Sequence, residues 1–132
     1  MMGLLSVIVA AVAAFAFGAA YYMALAKPWM AAAGIAVGPD GKPVDAESPV
    51  PYIVSFICIL LVAGMMRHTF ALSGVDSFGK GLQSGFGVGL FFITPWIFIN
   101  TGYSNRPWKL AVIDGGYATA AATIIGGVLT LL

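Results

Sequence analysis

Charged side chains are scarce in this sequence, with six Lys or Arg and five Asp or Glu residues among 132. Soluble domains carry about a quarter of their residues as charged side chains, whereas this chain has 8%, against 61% hydrophobic residues. This composition excludes a water-soluble globular protein. A net charge of +1 with no basic run also argues against nucleic acid as a partner and against a polybasic lipid-binding tail.

Cysteine and histidine are almost absent, with Cys58 and His68 as single representatives. One cysteine makes no disulfide within the chain, and its apolar surroundings predict a small buried hydrophobic residue. The sequence also lacks an HExxH motif, a paired-cysteine motif, a GxSxG elbow and a phosphate loop. We therefore predict no enzymatic activity, no catalytic residue, no metal site and no cofactor.

What the sequence does contain is four uncharged stretches, over residues 1–26, 48–66, 81–105 and 115–132. Each approaches the length of about 20 residues that a helix needs to cross the hydrocarbon core of a bilayer. No basic segment precedes Gly3, so we expect the first stretch to be a membrane helix, not a cleaved signal. The predicted fold is an all-α integral membrane protein, one domain over 1–132, a compact four-helix bundle with spans near 2–26, 50–71, 79–101 and 107–131.

The loop after the first span divides at Gly38. Pro28 cannot continue the first helix without a kink, and the apolar residues that follow predict a short interfacial helix over 28–37. Residues 38–50, with several prolines and glycines, are typical of a solvated loop. We expect Tyr21, Tyr22 and Trp29 to contribute to an aromatic belt, and Lys27 to extend its ammonium group towards the headgroups.

Basic residues suggest an orientation. The loops after spans one and three contain four basic residues, Lys27, Lys42, Arg106 and Lys109. The opposite side of the membrane has two, Arg67 and Lys80. This bias favours a multi-pass protein of a cytoplasmic membrane with both termini outside. The residues predicted to anchor it at the membrane interface are Tyr21, Tyr22, Lys27, Trp29, Arg67, Arg106, Trp108 and Lys109.

Small residues recur every fourth position on three of the four predicted spans. This spacing places them on one helix face and permits close approach of a second backbone. Such faces predict tight helix packing, within the chain or between copies of it. The residues are Ala10, Ala14, Gly18, Gly81, Gly85, Gly89, Ala118, Ala122 and Gly126.

Two prolines predict local features of the C-terminal half. Pro95 should bend the third span, and the hydroxyl of Thr94 is placed to cover part of the backbone that the proline frees. Between the third and fourth spans, Asn105 is expected to cap the last helix, with Pro107 in its first turn.

Asp114 is the strongest candidate for a functional residue. If the fourth span begins near Arg106, the carboxyl group lies about 12 Å along the helix axis. An acid at that depth is a candidate proton- or cation-binding group. The alternative is a structural role, in which Asp114 pairs with a neighbouring helix and fixes the register of the bundle.

His68 is a weaker candidate. Together with Arg67 it is expected to mark the end of the second span at the membrane boundary. Gly64, one turn earlier, would leave room for a flat macrocycle, so His68 could bind a pigment or a haem. A bis-histidine haem within one chain is excluded by the single histidine.

The C-terminal half contains a recognisable order of motifs. Residues 105–110 read NRPWKL, residues 113–117 read IDGGY, and a Gly-Gly pair stands at 126–127; upstream are Gly18, Tyr22, the KPWM run at 27–30 and Gly34. This pattern resembles the family catalogued as domain of unknown function 1761. The resemblance implies a small four-helix bacterial inner-membrane protein and implies no activity.

Two functions are compatible with these features. The first is a structural or accessory protein that packs against a larger membrane complex through its small-residue faces, with lipid and a membrane protein as partners. The second is a small homodimeric transporter coupled to protons through Asp114. The scarcity of ionisable groups within the spans favours the first.

Overall fold

The computed structural model describes residues 3–44 and 48–132, which are predominantly helical. The helices are α1 (Leu4–Ala24), α2 (Ala26–Ala33), α3 (Val50–Ser73), α4 (Phe78–Gly87), α5 (Thr94–Tyr103) and α6 (Trp108–Leu131). A π-helical turn, Val88–Ile93, joins α4 to α5 without a break, so that Phe78–Tyr103 is one long helix, called here the third span. Within the described ranges, extended pairing is limited to one bridge between Val37 and Pro43.

Four of these helices are long and apolar enough to cross a membrane: α1, α3, the third span and α6. Their ends lie within two residues of the segments expected from the sequence. Length and composition are the basis on which they are candidate membrane spans.

The break between α1 and α2 occurs where Pro28 requires it. Proline has no amide hydrogen, so the carbonyl of Ala24 receives no bond from position 28, and α1 ends at Ala24. The short helix α2 runs to Ala33 and ends at Gly34, whose left-handed backbone (φ 71°) is a common C-terminal cap. It is therefore shorter than the 28–37 segment expected. Residues 45–47 of the loop that follows lie outside the described ranges.

A hydrophobic core is shared by α1, α3 and α6. It is built mainly from alanines on α1 and from larger side chains on α3 and α6. Its buried members are Val7, Ala10, Ala14, Ala63, Met66, Phe70, Ala121, Ile125 and Leu129. The three helices pack with small residues from one partner opposite large residues from another, which fills the space between them.

The third span packs on a different face of α6. Among the described residues, its extensive helix contacts are all with α6, and α3 makes its own with α1 and, to a smaller extent, α6. The compact bundle expected from the sequence is thus a three-helix core with a fourth helix attached along one side of α6. The physical reason is that small-residue faces bring the third span and α6 together so closely that α6 separates the third span from most of the core.

The predicted small-residue faces of these two helices lie against each other. A side-chain carbon at Gly81 would collide with the backbone of Gly126, one at Gly85 with Ala122, and one at Gly89 with the backbone of residues 118 and 119. Backbone contact of this kind gains van der Waals energy along the whole interface and leaves no room for any larger residue.

Pro95 is accommodated by the π-helical turn that precedes it. The hydroxyl of Thr94 donates to the carbonyl of Gly89 at 2.7 Å and lies 3.2 Å from the carbonyl of Gly115 on α6. Thr94 therefore covers backbone on its own helix and also contacts α6. The sequence predicted the proline's disturbance but not the widened turn.

The start of α6 differs from expectation. Pro107, with extended backbone, is the capping residue, and Trp108 is the first helical residue. Asn105 instead adopts the left-handed conformation (φ 57°) after the third span, where asparagine is better tolerated than most residues. Asn105 thus ends the third span and does not cap α6.

Candidate functional site around Asp114

The carboxylate of Asp114 joins three helices. The Tyr22 hydroxyl, from α1, donates to Asp114 Oδ1 at 2.7 Å, and the Trp29 indole nitrogen, from α2, donates to the same oxygen at 3.0 Å. Asp114 itself is on α6 and is half-buried. The two bonds connect residues 85 or more positions apart, so this one oxygen fixes α1 and α2 on α6.

Two further tyrosines tie α1 to α6. Tyr21 donates to the carbonyl of Ile113 at 2.7 Å, and Tyr117 donates to the carbonyl of Ala14 at 3.1 Å. These carbonyls belong to helix backbones, whose oxygens can accept a second bond. The two helices therefore exchange hydrogen bonds in both directions.

The rings of these residues form a continuous aromatic cluster. Tyr22 lies edge-on to Trp29 at 5.8 Å between centroids and to Tyr117 at 5.3 Å, and Phe17 stacks on Tyr117 at 6.1 Å. Aromatic pairs at these separations stabilise beyond the area that they bury. The cluster holds the donors to Asp114 in place.

Glycines make room for this cluster. A side-chain carbon at Gly18 would lie 2.8 Å from the Tyr117 hydroxyl, and one at Gly116 would lie 2.7 Å from the Tyr21 hydroxyl. Gly18, the last member of the predicted small-residue face on α1, thus receives an aromatic ring from α6, whereas Ala10 and Ala14 face the core.

Asp114 lies nearer the end of its helix than expected. Because α6 begins at Trp108, Asp114 is six residues along it, about 9 Å at 1.5 Å per residue. Its partners support this placement: Tyr22 is close to the end of α1, and Trp29 is beyond it on α2. The carboxylate is therefore about 3 Å nearer the start of its helix than the expected depth of about 12 Å.

Arg106 packs over the end of α2. Its guanidinium group occupies the space above Gly34, so closely that no side chain could be added there. A cation beside the carboxyl end of a helix is favourable because it meets the negative end of the helix dipole. The loop before α6 thus holds the same short helix that Asp114 holds through Trp29.

The other candidate residues are remote from this cluster. His68 and Cys58 are exposed on α3, and a side-chain carbon at Gly64 would meet open space. Cys58 is therefore not the buried residue expected. Arg67, also on α3, has interactions with other groups of the protein. Across residues 3–44 and 48–132, no three His, Cys, Asp or Glu side chains are grouped as metal ligands would be.

The predicted interface anchors fall into two groups. Tyr21, Tyr22 and Trp29 use their polar atoms inside the protein, as described above. Lys27, Trp108 and Lys109 are exposed, and Trp108 stacks on Phe98 at 6.1 Å. Arg67 and Arg106 are exposed as well, so these five residues, unlike the three aromatic residues of the first group, have the exposure that contact with headgroups requires.

Sequence reasoning missed Tyr117 and Phe17. A signal for Tyr117 existed, because it stands one turn after Asp114 on the same helix face and α1 offers a glycine opposite it. No comparable signal marked Phe17, which is one of several aromatic residues on an apolar helix.

Chemically, the arrangement is a hydrogen-bonded carboxylate with one oxygen still available. In the described part of the chain, Asp114 Oδ1 accepts two hydrogen bonds and Oδ2 accepts none. No buried side-chain nitrogen or oxygen among the described residues lacks a partner. The site resembles a hydrogen-bonded contact between helices more than a solvated reaction centre.

These features define a small helical protein with four candidate membrane spans, in which a cluster of aromatic residues surrounds the Asp114 carboxylate and donates hydrogen bonds to it. The chain belongs to the family described as "Protein of unknown function (DUF1761)", which matches residues 5–130. No curated protein and no solved structure is significantly similar to it.

Proposed function

We propose that the protein is a structural or accessory integral membrane protein that packs against a larger membrane complex. The observation that carries this proposal is the unequal use of its helices. In the most apolar windows of α3 and of the third span, 11% of residues are buried, against 50% in α6. Two helices are thus largely left for contacts with lipid or with a partner.

We place the surface offered to the partner on α3, because the third span is packed along α6 and the small-residue faces are already occupied within the chain. Exposed residues on α3 repeat at alternating spacings of four and three, the spacing at which one helix packs along another. This stripe consists of Val54, Cys58, Leu61, Met65, His68 and Leu72. A partner helix would lie along it.

Asp114 has a structural role in this proposal. Its two hydrogen bonds hold α2 at the membrane boundary, so that the protein presents a rigid body to its partner. Rigid surfaces bind with a smaller entropic cost than surfaces that must be ordered on binding.

Native mass spectrometry of the tagged protein, extracted from its own membrane in a mild detergent, tests the proposal. We expect a defined heteromeric mass. Gly64→Phe should release the partner because Gly64 adjoins the stripe in open space, whereas Gly87→Phe, in open space on the third span, should retain it. A monodisperse free chain from the native membrane would contradict the proposal.

A second candidate is a homodimeric transporter coupled to protons through Asp114, which is favoured by the unbonded Oδ2. Asp114→Asn separates the two functions, because the amide oxygen still accepts from Tyr22 and Trp29 but the side chain no longer binds a proton. A transporter would lose proton-coupled flux in this variant. An accessory protein would keep its partner.

A further inference from the structure

An apolar groove runs between the third span and α6, on the side away from the three-helix core. Its walls include Phe86, Leu90 and Phe98, its floor includes Gly116 and Ala120, and Val112 lies at its exposed mouth. Its volume is about 610 Å³. The groove is recessed because Gly116 and Ala120 are small, whereas the walls carry large side chains.

The groove is apolar although three threonines line it. Thr94, Thr119 and Thr123 each direct the hydroxyl to a helix carbonyl, at 2.7, 2.8 and 2.7 Å. Their methyl groups are left as the groove surface. An occupant therefore needs no hydrogen-bonding groups along this length.

A basic residue stands in register with the floor. Lys109 precedes Val112 by three positions and Gly116 by seven, so these residues share one face of α6, and Lys109 is exposed. It is one residue from the start of α6, at the membrane boundary, where a lysine side chain extends towards phosphate groups. Arg106, by contrast, packs over Gly34.

The dimensions favour a single hydrocarbon chain. From Val112 to Ile124 the groove follows α6 for about 18 Å, comparable to the roughly 15 Å depth of one leaflet. A second copy of the chain or another partner helix, about 10 Å wide, would lie over this open groove instead of inside it.

We propose that this groove binds one acyl chain of an anionic phospholipid, with the Lys109 ammonium group on the headgroup phosphate. The groove supplies apolar contact along the chain, and the lysine supplies the preference for negative charge. The site is independent of the partner surface on α3.

The test uses the purified full-length protein in nanodiscs of equal parts phosphatidylglycerol and phosphatidylcholine, followed by native mass spectrometry of the lipid retained after release. We expect one retained lipid, with phosphatidylglycerol preferred. Lys109→Gln should lower that preference about fivefold, as expected for one lysine near a phosphate. Lys27→Gln, which removes an exposed lysine from α2, should not change it.

Filling the groove gives the second arm. Ala120→Phe should abolish retention of both lipids, and Val112→Phe, at the exposed mouth, gives the same test if the deeper variant does not fold. Leu61→Phe on α3 is the matched control, because it adds a ring to an exposed surface outside the groove. Equal retention in the wild type and both groove variants would overturn the proposal, as would a lipid-free dimer.

Discussion

The two sides of α6 achieve helix packing by opposite chemistry. Towards the third span, glycine and alanine bring two backbones together, and a side chain added at Gly81, Gly85 or Gly89 would collide with backbone. Towards α1 and α2, large aromatic residues fill the space, and the contact is fixed by hydrogen bonds to Asp114, Ile113 and Ala14.

The difference shows that one helix can pack against its neighbours in both of these ways. Close backbone packing depends on shape and tolerates no added volume, whereas the aromatic side depends on polar pairs whose atoms would otherwise be unsatisfied in hydrocarbon. The first contact runs along most of the third span, and the second is concentrated around the last turns of α1 and the first turns of α6. Substitutions on the two sides should therefore differ in how much stability they remove. Only on the aromatic side should a polar replacement that keeps the hydrogen bonds restore that stability.

The largest effect is expected from Gly85→Leu. Its side chain would meet the backbone around Ala122, which cannot rotate away, so the third span must separate from α6. We expect a loss of about 3 kcal/mol in the free energy of unfolding, the upper part of the overpacking range. Reversible unfolding in mixed micelles measures it.

The control is Gly87→Leu, on the same helix, where an added carbon meets nothing within 4 Å. It adds the same side chain without a collision. Equal losses in the two variants would show that backbone packing at Gly85 is not what holds the third span.

Asp114→Leu should have the next largest effect. It removes the acceptor for Tyr22 and Trp29 and leaves two donors unpaired. We expect a loss of about 2 kcal/mol, because two hydrogen bonds are removed and each bond between membrane helices contributes about 0.6 to 1.7 kcal/mol. Asp114→Asn should recover most of that loss. If the asparagine variant is as unstable as the leucine variant, hydrogen bonding is not the stabilising interaction.

Tyr117→Phe separates the ring from its hydroxyl. The ring contacts with Phe17 and Tyr22 remain, and the bond to the Ala14 carbonyl is lost. We expect a loss of about 0.6 kcal/mol, the average for hydrogen bonds between membrane helices. A loss comparable to that of Asp114→Leu would mean that the Tyr117 hydroxyl contributes as much to the contact between α1 and α6 as the Asp114 carboxylate does.

The smallest effect is expected from Gly64→Leu on α3. A side chain there enters open space, so the unfolding free energy of the isolated chain should change by no more than about 0.5 kcal/mol. Thermal unfolding of the purified protein measures it. A large loss would mean that this part of α3 is covered within the chain.

Features that depend on local sequence were predictable. The four apolar helices follow from hydropathy, the end of α1 from Pro28, and the close-packing face of the third span from its glycine repeat. Each depends on residues only a few positions apart. Helical periodicity and backbone sterics relate such residues without knowledge of the fold.

Features that depend on which helices meet were not predictable. The donors to Asp114 are 85 and 92 residues away, and Tyr22 and Trp29 are equally typical of an aromatic belt facing headgroups. The attachment of the third span to α6 alone depends on a choice among several small-residue faces. The π-helical turn stands where three features coincide. Pro95 lacks an amide hydrogen, the Thr94 hydroxyl donates to the carbonyl of Gly89, and Thr94 also contacts α6.

A double-mutant cycle between Gly85→Ala and Asp114→Leu tests most directly the claim that α6 carries two separate interfaces. Gly85 contacts α6 around Ala122, eight residues and about 12 Å from Asp114. The account predicts that the two losses in unfolding free energy add to within about 0.5 kcal/mol. An interaction energy above about 1 kcal/mol would mean that the two sides form one cooperative contact, contrary to this account.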